Sequence, residues 1–242
     1  MEKAPKGKCD ECTLKQAVLV PSEINDTKIL YLAEAPGFNE TQEGRPLVGI
    51  AGRDLMDIIE ECGGRREDAS YVNAVTCRPT KVNDGRIYNR TPNDAEITWC
   101  NERMIAEIDN LLPEVIVCMG KVPYVALGGN GKIPMKEIVC TTFDWRNYDV
   151  IVSYHPAAIA HSGGKNSERG RDIRTKIKEA VEYAMQHQHV DKQFRLVDSP
   201  LSKDINAKPI IAEMNAFRDT CEKWWTGDNK CKSCKQRFYC YE

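Results

Sequence analysis

The chain has 242 residues, with 34 lysine and arginine side chains and 36 aspartate and glutamate side chains, for a formal net charge of -2. This charge excludes a general electrostatic attraction to nucleic acid. No apolar run approaches the roughly 18 residues that a membrane helix needs, and residues 1–8 are polar, so we expect no membrane partner, no signal peptide and a cytoplasmic location. In such a reducing compartment, eleven cysteines favour metal or cluster ligation over disulfides.

Short apolar runs alternate with helical patterns along residues 1–189. The runs predicted as strands are 29–33, 70–75, 114–119 and 149–153, and the predicted helices are 53–62, 92–112, 122–127 and 167–188. Right-handed crossovers between such strands build a parallel sheet that is covered by helices on both faces. We therefore predict an α/β fold, a three-layer α/β/α domain over residues 1–189 with a central four-stranded parallel sheet.

Two connections in this region have distinct sequence signals. Residues 80–90 are polar and rich in turn formers, so we predict a loop there. Thr91 followed by Pro92 is typical of a helix N-cap with proline at the first helical position. Residues 160–166 are glycine-rich and are also predicted as a loop.

Polar residues follow three of the predicted strands at the point where each ends. Glu34 and Glu40 come after the first strand, Asn73 lies near the end of the second, and His155 follows the fourth. Each residue alone has an ordinary explanation, as a solvated carboxylate, a turn cap or a loop histidine. Because the carboxyl ends of parallel strands meet at one edge of a sheet, their convergence predicts a functional site there.

Four cysteines are predicted near this edge. Cys9 and Cys12 have the two-residue gap that lets one turn offer two thiolates, Cys77 follows a strand, and Cys100 lies on the next helix. Together they suit a four-thiolate site for zinc or a 4Fe-4S cluster, and the spacing does not choose between them. Cys77 or Cys100 as an ordinary buried thiol is the alternative.

Residues 190–242 form a predicted C-terminal helical, cysteine-rich appendage. A second four-thiolate set occurs there: Cys221, Cys231, Cys234 and Cys240. Zinc, a second iron-sulfur cluster or no metal all remain open for these residues. The interspersed lysines and aromatic residues suit nucleic acid, and the alternative is a stapled helical end that covers the core.

Several of these motifs, in this order and spacing, resemble those of the uracil-DNA glycosylase superfamily, and most closely its iron-sulfur family. The resemblance covers about residues 9–182 and rests on Cys9-x-x-Cys12, Glu34-Ala35-Pro36-Gly37-x-x-Glu40, Gly44-Arg45-Pro46-x-Val48-Gly49-x-Ala51-Gly52, Asn73-x-x-x-Cys77-Arg78-Pro79, Asn89-Arg90-x-Pro92, Cys100 and Tyr154-His155-Pro156-Ala157. It implies that Cys9, Cys12, Cys77 and Cys100 hold a structural 4Fe-4S cluster.

The resemblance also implies a chemistry, the hydrolysis of the N-glycosidic bond of a flipped-out pyrimidine by a monofunctional DNA glycosylase. Glu40, and less directly Glu34, would orient water or stabilise the sugar cation, and His155 would donate to the leaving base. Asn73 would bind the pairing edge of the base. The backbone of Ala35 and Gly37 would complete the base pocket.

One departure from the family pattern bears on the substrate. Leu47 stands where the family has an aromatic ring that stacks on uracil, and loss of such a ring removes about 1–3 kcal/mol per base. The roomier pocket suits a bulkier 5-modified cytosine, such as glucosylated hydroxymethylcytosine of viral DNA, which would make the chain a phage-defence enzyme rather than a repair enzyme. The alternative is that the substrate is plain uracil, which packs against Leu47.

Base flipping also needs a clamp on the DNA backbone and a side chain that fills the gap. We expect Arg78, Arg90 and Lys165 to bind phosphates, and Ile159 or His161 to act as the wedge. The alternative function is a non-catalytic iron-sulfur module that docks on damaged or modified DNA. In either case we expect DNA as the partner and a monomeric chain.

Overall fold

The computed structural model describes residues 8–188. Its strands are β1 (Ile29–Ala33), β2 (Ala69–Asn73), β3 (Thr80–Asn83), β4 (Arg86–Asn89), β5 (Val115–Met119), β6 (Thr142–Trp145) and β7 (Tyr148–Ser153). Its α-helices are α1 (Phe38–Glu43), α2 (Ile50–Glu61), α3 (Asp94–Leu111), α4 (Lys121–Ala126), α5 (Met135–Ile138), α6 (Ala157–His161) and α7 (Glu168–His187). The predicted appendage and its four cysteines lie outside these residues and stay a prediction.

A five-stranded sheet with the order β2-β1-β5-β7-β6 forms the centre of the described region. Strands β2, β1, β5 and β7 run parallel to one another, which confirms the predicted mixed α/β fold and its four parallel strands. The central strands are buried on both faces, as expected of a parallel sheet that is covered by helices. Among residues 8–188, no helix is long and apolar enough to cross a membrane.

The alternation of side chains along β1 divides the core into two layers. Ile29 and Tyr31 pack on one face with apolar residues of α2 and α7. Leu30 and Leu32 pack on the other face with apolar residues of α3 and α4. Helices therefore cover both faces, and the short loops that leave the carboxyl ends of the parallel strands share one edge.

Strand β6 corrects the predicted count of four strands. It pairs antiparallel with β7 at the edge of the sheet, and the turn between them places Arg146 and Asn147 at positive φ angles of 47° and 70°. Because an arginine-asparagine pair is a weak hairpin signal and β6 is only partly buried, the sequence pattern did not reveal this strand.

Residues 80–90 form a hairpin rather than the predicted loop. Strands β3 and β4 pair antiparallel around Asp84 and Gly85, whose φ angles are 48° and 72°. Positive φ at both central residues is the signature of the tight turn that matches strand twist, and aspartate-glycine favours it strongly. That dipeptide is the signal which sequence reasoning missed.

The N-cap of α3 is Asn93, not Thr91 as predicted. The Asn93 side chain accepts a hydrogen bond from the Glu96 amide at 2.9 Å, and the Glu96 carboxylate accepts one from the Asn93 amide at 2.9 Å. This reciprocal capping box satisfies two backbone donors at the start of the helix, so the helix begins two residues later than the proline signal indicated.

Candidate functional site

A cleft of about 940 Å³ opens at the carboxyl edge of the sheet. Its lining includes Glu34, Glu40, Asn73 and His155, which come from three separate strand exits. The other predicted base-pocket residues, Ala35, Gly37 and Leu47, line it as well. The structure therefore brings into one cleft all the residues that the sequence analysis assigned to catalysis and base binding.

The Glu40 carboxylate joins two loops of the cleft. One oxygen accepts hydrogen bonds from the amides of Val48 and Gly49 at 3.1 and 2.7 Å, and the other accepts from the amide of Gly37 at 3.0 Å. A carboxylate offers about four lone-pair sites, so these three bonds leave one for a water molecule or substrate. The amide of Gly37, one of the residues expected to bind the base, thus donates to Glu40 in this structure.

His155 lies in the cleft with its ring orientation fixed by the backbone. Its Nδ1 accepts a hydrogen bond from the Ala157 amide at 3.2 Å. Burial lowers the pKa of His155 to about 4, so the ring is neutral at pH 7. Because Nδ1 is the acceptor, the single proton of the neutral ring is on Nε2, which is thereby a hydrogen-bond donor.

Asn73 ends β2 beside the last residue of β1, Ala33, and is almost fully buried. Its carbonyl oxygen accepts a hydrogen bond of 2.7 Å from the buried side chain of Arg103 on α3. This bond fixes the backbone at the point where the side-chain amide enters the cleft. A buried amide that can both donate and accept is suited to the edge of a base.

Glu34 is the half-buried carboxyl of the cleft. Burial raises the pKa of Glu34 above its ordinary value, and a hydrogen bond with the Thr91 side chain opposes part of that rise. A carboxyl in this setting exchanges a proton more readily near neutral pH than a solvated one does.

Leu47 adopts a left-handed backbone conformation, with φ 51°, which is strained for a residue with a branched side chain. Its carbonyl oxygen lies so close to Gly52 that a Cβ atom there would be 1.9 Å away. The side chain of Arg66 donates to this carbonyl at 3.1 Å, and Glu23 binds the same guanidinium at 2.7 Å. Sequence reasoning missed Arg66 and Glu23, which lie in different segments and belong to no motif.

Comparison with known proteins places this cleft in a family context. A sequence profile for the uracil DNA glycosylase superfamily matches residues 21–179. The chain belongs to the uracil-DNA glycosylase superfamily. It is similar to the type-4 uracil-DNA glycosylase of Thermotoga maritima, with 32% identity over 181 residues that cover 73% of this chain and 88% of the relative. It is also similar to the type-4 enzyme of Saccharolobus solfataricus, with 34% identity over 187 residues, or 72% of this chain and 82% of the relative.

Two arginines that this superfamily member was expected to use on DNA have protein partners. Arg78 donates to the Asn89 side chain at 2.7 Å, and its guanidinium lies 5.2 Å from the centre of the Phe38 ring at the cleft rim. Arg90 forms a bidentate pair with the buried Glu96 at 2.6 and 2.7 Å. Burial raises the pKa of Glu96, but hydrogen bonds from Arg90, Thr13 and the Asn93 amide outweigh it and lower the pKa to about 2. The pair is therefore charged at pH 7.

The predicted wedge residues are placed very differently. Ile159 has only 1% of its surface exposed and packs in the core, so the expectation that it enters DNA is wrong. His161 is exposed and lines the cleft. Lys165 forms ion pairs with Asp54 and Asp57 at 3.0 and 2.6 Å, which compete with a phosphate for its ammonium group.

Cys9, Cys12, Cys77 and Cys100 line one small cavity of the uracil-DNA glycosylase domain. No carboxylate or imidazole lines it, and Lys8, Lys15 and Arg103 supply positive charge. Within residues 8–188, no three cysteine, histidine or acidic side chains are placed to hold a single metal ion. The potential metal ligands of this lining are thiols alone, and thiolates bind both zinc and iron-sulfur clusters.

Proposed function

We propose that this chain is a monofunctional DNA glycosylase that hydrolyses the N-glycosidic bond of a flipped-out uracil or modified pyrimidine and leaves an abasic site. The observation that carries the proposal is the single cleft in which Glu34, Glu40, Asn73 and His155 meet. The names of the relatives, type-4 uracil-DNA glycosylases, support the same reaction class.

His155 has the properties that the leaving base requires. As the glycosidic bond breaks, negative charge collects on the base, and a donor aimed at its oxygen stabilises that charge. A neutral ring with its proton on Nε2 provides such a donor without placing a buried cation in the cleft. Asn73 holds the pairing edge of the base, so that the oxygen faces the histidine.

The two carboxyl groups take separate roles in this proposal. Three backbone amides fix the position of the Glu40 carboxylate, so that it stabilises the developing sugar cation and its remaining lone pair orients water. Burial raises the pKa of Glu34, so this carboxyl group accepts the proton of the attacking water.

We propose that the four-cysteine cavity holds a 4Fe-4S cluster with Cys9, Cys12, Cys77 and Cys100 as ligands. The cluster would supply cross-linking rather than chemistry. It would tie the N-terminal turn to the loop that follows β2 and to helix α3, and Asn73 at the end of β2 and Arg103 on α3 position the cleft.

We also propose that the base is bulkier than plain uracil. Leu47 lies in the cleft without the flat face that stacks on a small pyrimidine, and a leucine side chain fills less of the cleft than an aromatic ring would. Replacement of Leu47 by phenylalanine should narrow the pocket. We expect that variant to excise uracil faster, and 5-modified cytosine more slowly, than the unchanged chain does.

One assay tests the reaction and the base together. The full chain is incubated with oligonucleotides that contain uracil, a thymine mismatch, or hydroxymethylated or glucosylated cytosine, and abasic sites are then cleaved with alkali. Strand breaks that are lost in an Asn73→Asp variant support a glycosylase. Tight binding of these oligonucleotides without strand breaks would support the non-catalytic docking module instead.

A further inference from the structure

The β3–β4 hairpin, residues 80–89, lies at the rim of the cleft. All eight residues of its two strands are exposed, and Lys81 and Asn89 line the cleft itself. An exposed ribbon of this length next to a substrate cleft contributes little to the core. Its position is that of an element which contacts whatever enters the cleft.

The register of the hairpin separates its side chains into two sets. Val82 lies directly opposite Ile87, and Lys81 lies opposite Tyr88. Because directly opposed residues share a face, Val82 and Ile87 form an apolar pair on one face, while Lys81, Tyr88 and Arg86 belong to the other. The exposed fractions of Val82 and Ile87 are 72% and 65%, among the largest of the exposed apolar residues in the described chain.

The charges around this apolar pair indicate its partner. Lys81 and Arg86 are the basic residues of the two strands, and Asp84 in the turn is the single acidic residue of the hairpin. The charge of Arg90, which follows the hairpin, is compensated by Glu96. An apolar contact surface with a local positive charge, in a chain whose net charge is -2, suits a polyanion that also offers apolar surface. DNA bases flanked by phosphates have both properties.

The base of the hairpin is held firmly. The Arg90 amide donates to the Pro79 carbonyl at 3.1 Å, and the Arg90 side chain donates to the Thr80 carbonyl at 3.1 Å while it pairs with Glu96. The two-residue turn at Asp84 and Gly85 closes the other end. Arg90, which was expected to bind phosphate, thus holds the two ends of the hairpin together at its base.

We propose that this hairpin is the DNA wedge of the protein. Val82 and Ile87 enter the base stack beside the extruded nucleotide, and Lys81 and Arg86 neutralise the flanking phosphates. Apolar side chains that insert between base steps unstack them and hold the duplex open, and a two-stranded ribbon is narrow enough to enter a groove. This role replaces the one expected of Ile159, which is buried, and it rests on the proposed function because a wedge is needed only when a nucleotide is flipped.

Binding measurements on the full chain test the wedge without any excision. The probes are a duplex with a tetrahydrofuran abasic analogue, which has no base to remove, and the matching single strand. We expect Val82→Ser/Ile87→Ser to weaken duplex binding by about tenfold, and single-strand binding by less than about twofold, because only the duplex must be unstacked. Fluorescence of 2-aminopurine next to the analogue should rise with the unchanged chain and not with the variant.

Two further variants separate the wedge from strand stability and from general surface effects. Val82→Thr/Ile87→Thr keeps β-branched side chains, so it should keep the hairpin and still lose most of the duplex preference. Leu112→Asn removes an apolar side chain that is 65% exposed at the C-terminal end of α3 and does not line the cleft. Its backbone is left-handed, which asparagine tolerates, so this variant should change nothing.

Three results would overturn the proposal. Unchanged duplex affinity in the serine variant would remove the wedge, and equal weakening on both probes would make the effect non-specific. If the serine variant sedimented as a monomer while the unchanged chain sedimented as a dimer, and DNA binding stayed intact, Val82 and Ile87 would contact a second copy of the chain instead of DNA. Failure of the unchanged chain to excise any base would refute the proposed function alone, since the binding results stand without it.

Discussion

Arg66 donates hydrogen bonds to the backbone carbonyls of Leu47 and of its neighbour Pro46, at 3.1 and 2.6 Å. These bonds hold Leu47 in its left-handed conformation at the lining of the cleft. Glu23 fixes the guanidinium from the other side, with a closest contact of 2.7 Å. A residue outside every family motif therefore determines where the wall of the proposed base pocket stands.

Arg66→Lys tests this positioning role. Lysine supplies a point charge in place of a planar fork, so at least one of the two carbonyls loses its donor, at a cost of about 1–3 kcal/mol in unfolding free energy. We expect KM for base excision to rise more than kcat falls, because the pocket wall moves while the catalytic groups stay. Denaturant unfolding and steady-state excision kinetics measure the two effects.

Arg45→Lys is the matched control, because Arg45 also binds Glu23 but its side chain is 54% exposed. An exposed pair of this kind contributes about 0–1 kcal/mol. If the two substitutions changed the unfolding free energy and KM equally, Arg66 would act only through its ion pair with Glu23 and would not position Leu47.

Glu40→Gln tests whether the carboxylate joins the two loops of the cleft. The amide has one acceptor oxygen, whereas both carboxylate oxygens now accept backbone amides, so at least one of these N–H groups is left facing an NH₂ group. We expect a loss of about 2 kcal/mol in unfolding free energy together with a large fall in kcat.

Glu43→Gln, at the exposed end of the same helix, should leave both stability and kcat unchanged. If Glu40→Gln lowered kcat without lowering stability, the carboxylate would act on the substrate alone. If it lowered stability without lowering kcat, the proposed catalytic role of Glu40 would be wrong.

The sequence predicted the parts of this protein that depend on local pattern and on strand order. Four apolar runs became parallel strands, and their exits delivered Glu34, Asn73 and His155 to one edge because parallel strands must end together. The burial of Ile159 was not predictable in this way, because the short helix α6 turns that side chain toward the core.

The contacts that the sequence did not reveal join distant segments through side chains. Arg66 reaches the carbonyl of Leu47 across nineteen residues, and Arg103 reaches that of Asn73 across thirty. Neither arginine has a spacing rule that would single it out among the other exposed or paired arginines. The hairpin at Asp84-Gly85, by contrast, had a clear local signal that the polar composition around it obscured.

Cys77→Ser tests the proposed cluster. Loss of one of four thiolate ligands should reduce the iron and sulfide content of the purified chain and the absorbance near 400 nm, and it should lower thermal stability because the cluster cross-links three segments. Iron and sulfide analysis with thermal unfolding gives the result. Cys62→Ser is the control, because Cys62 is partly buried at the end of α2 and does not line the cysteine cavity. Zinc without sulfide in the unchanged chain would contradict the proposal.

The pH dependence of folding tests the state of His155. Its pKa in the folded chain is about 4, below the ordinary value of 6.5, because burial disfavours the charged ring. As the pH falls below 6.5 the unfolded chain therefore binds the proton first, so stability is lost between pH 6.5 and 4 by roughly 2–4 kcal/mol.

A His155→Gln variant should lose less stability over that interval, because it has no imidazole to protonate. The ring resonances of His155 should show a neutral imidazole with its proton on Nε2 from pH 8 down to pH 5. Protonation of His155 near pH 6.5 would contradict the proposed neutral donor. A charged ring carries protons on both nitrogens, so its Nδ1 could not accept the hydrogen bond from the Ala157 amide.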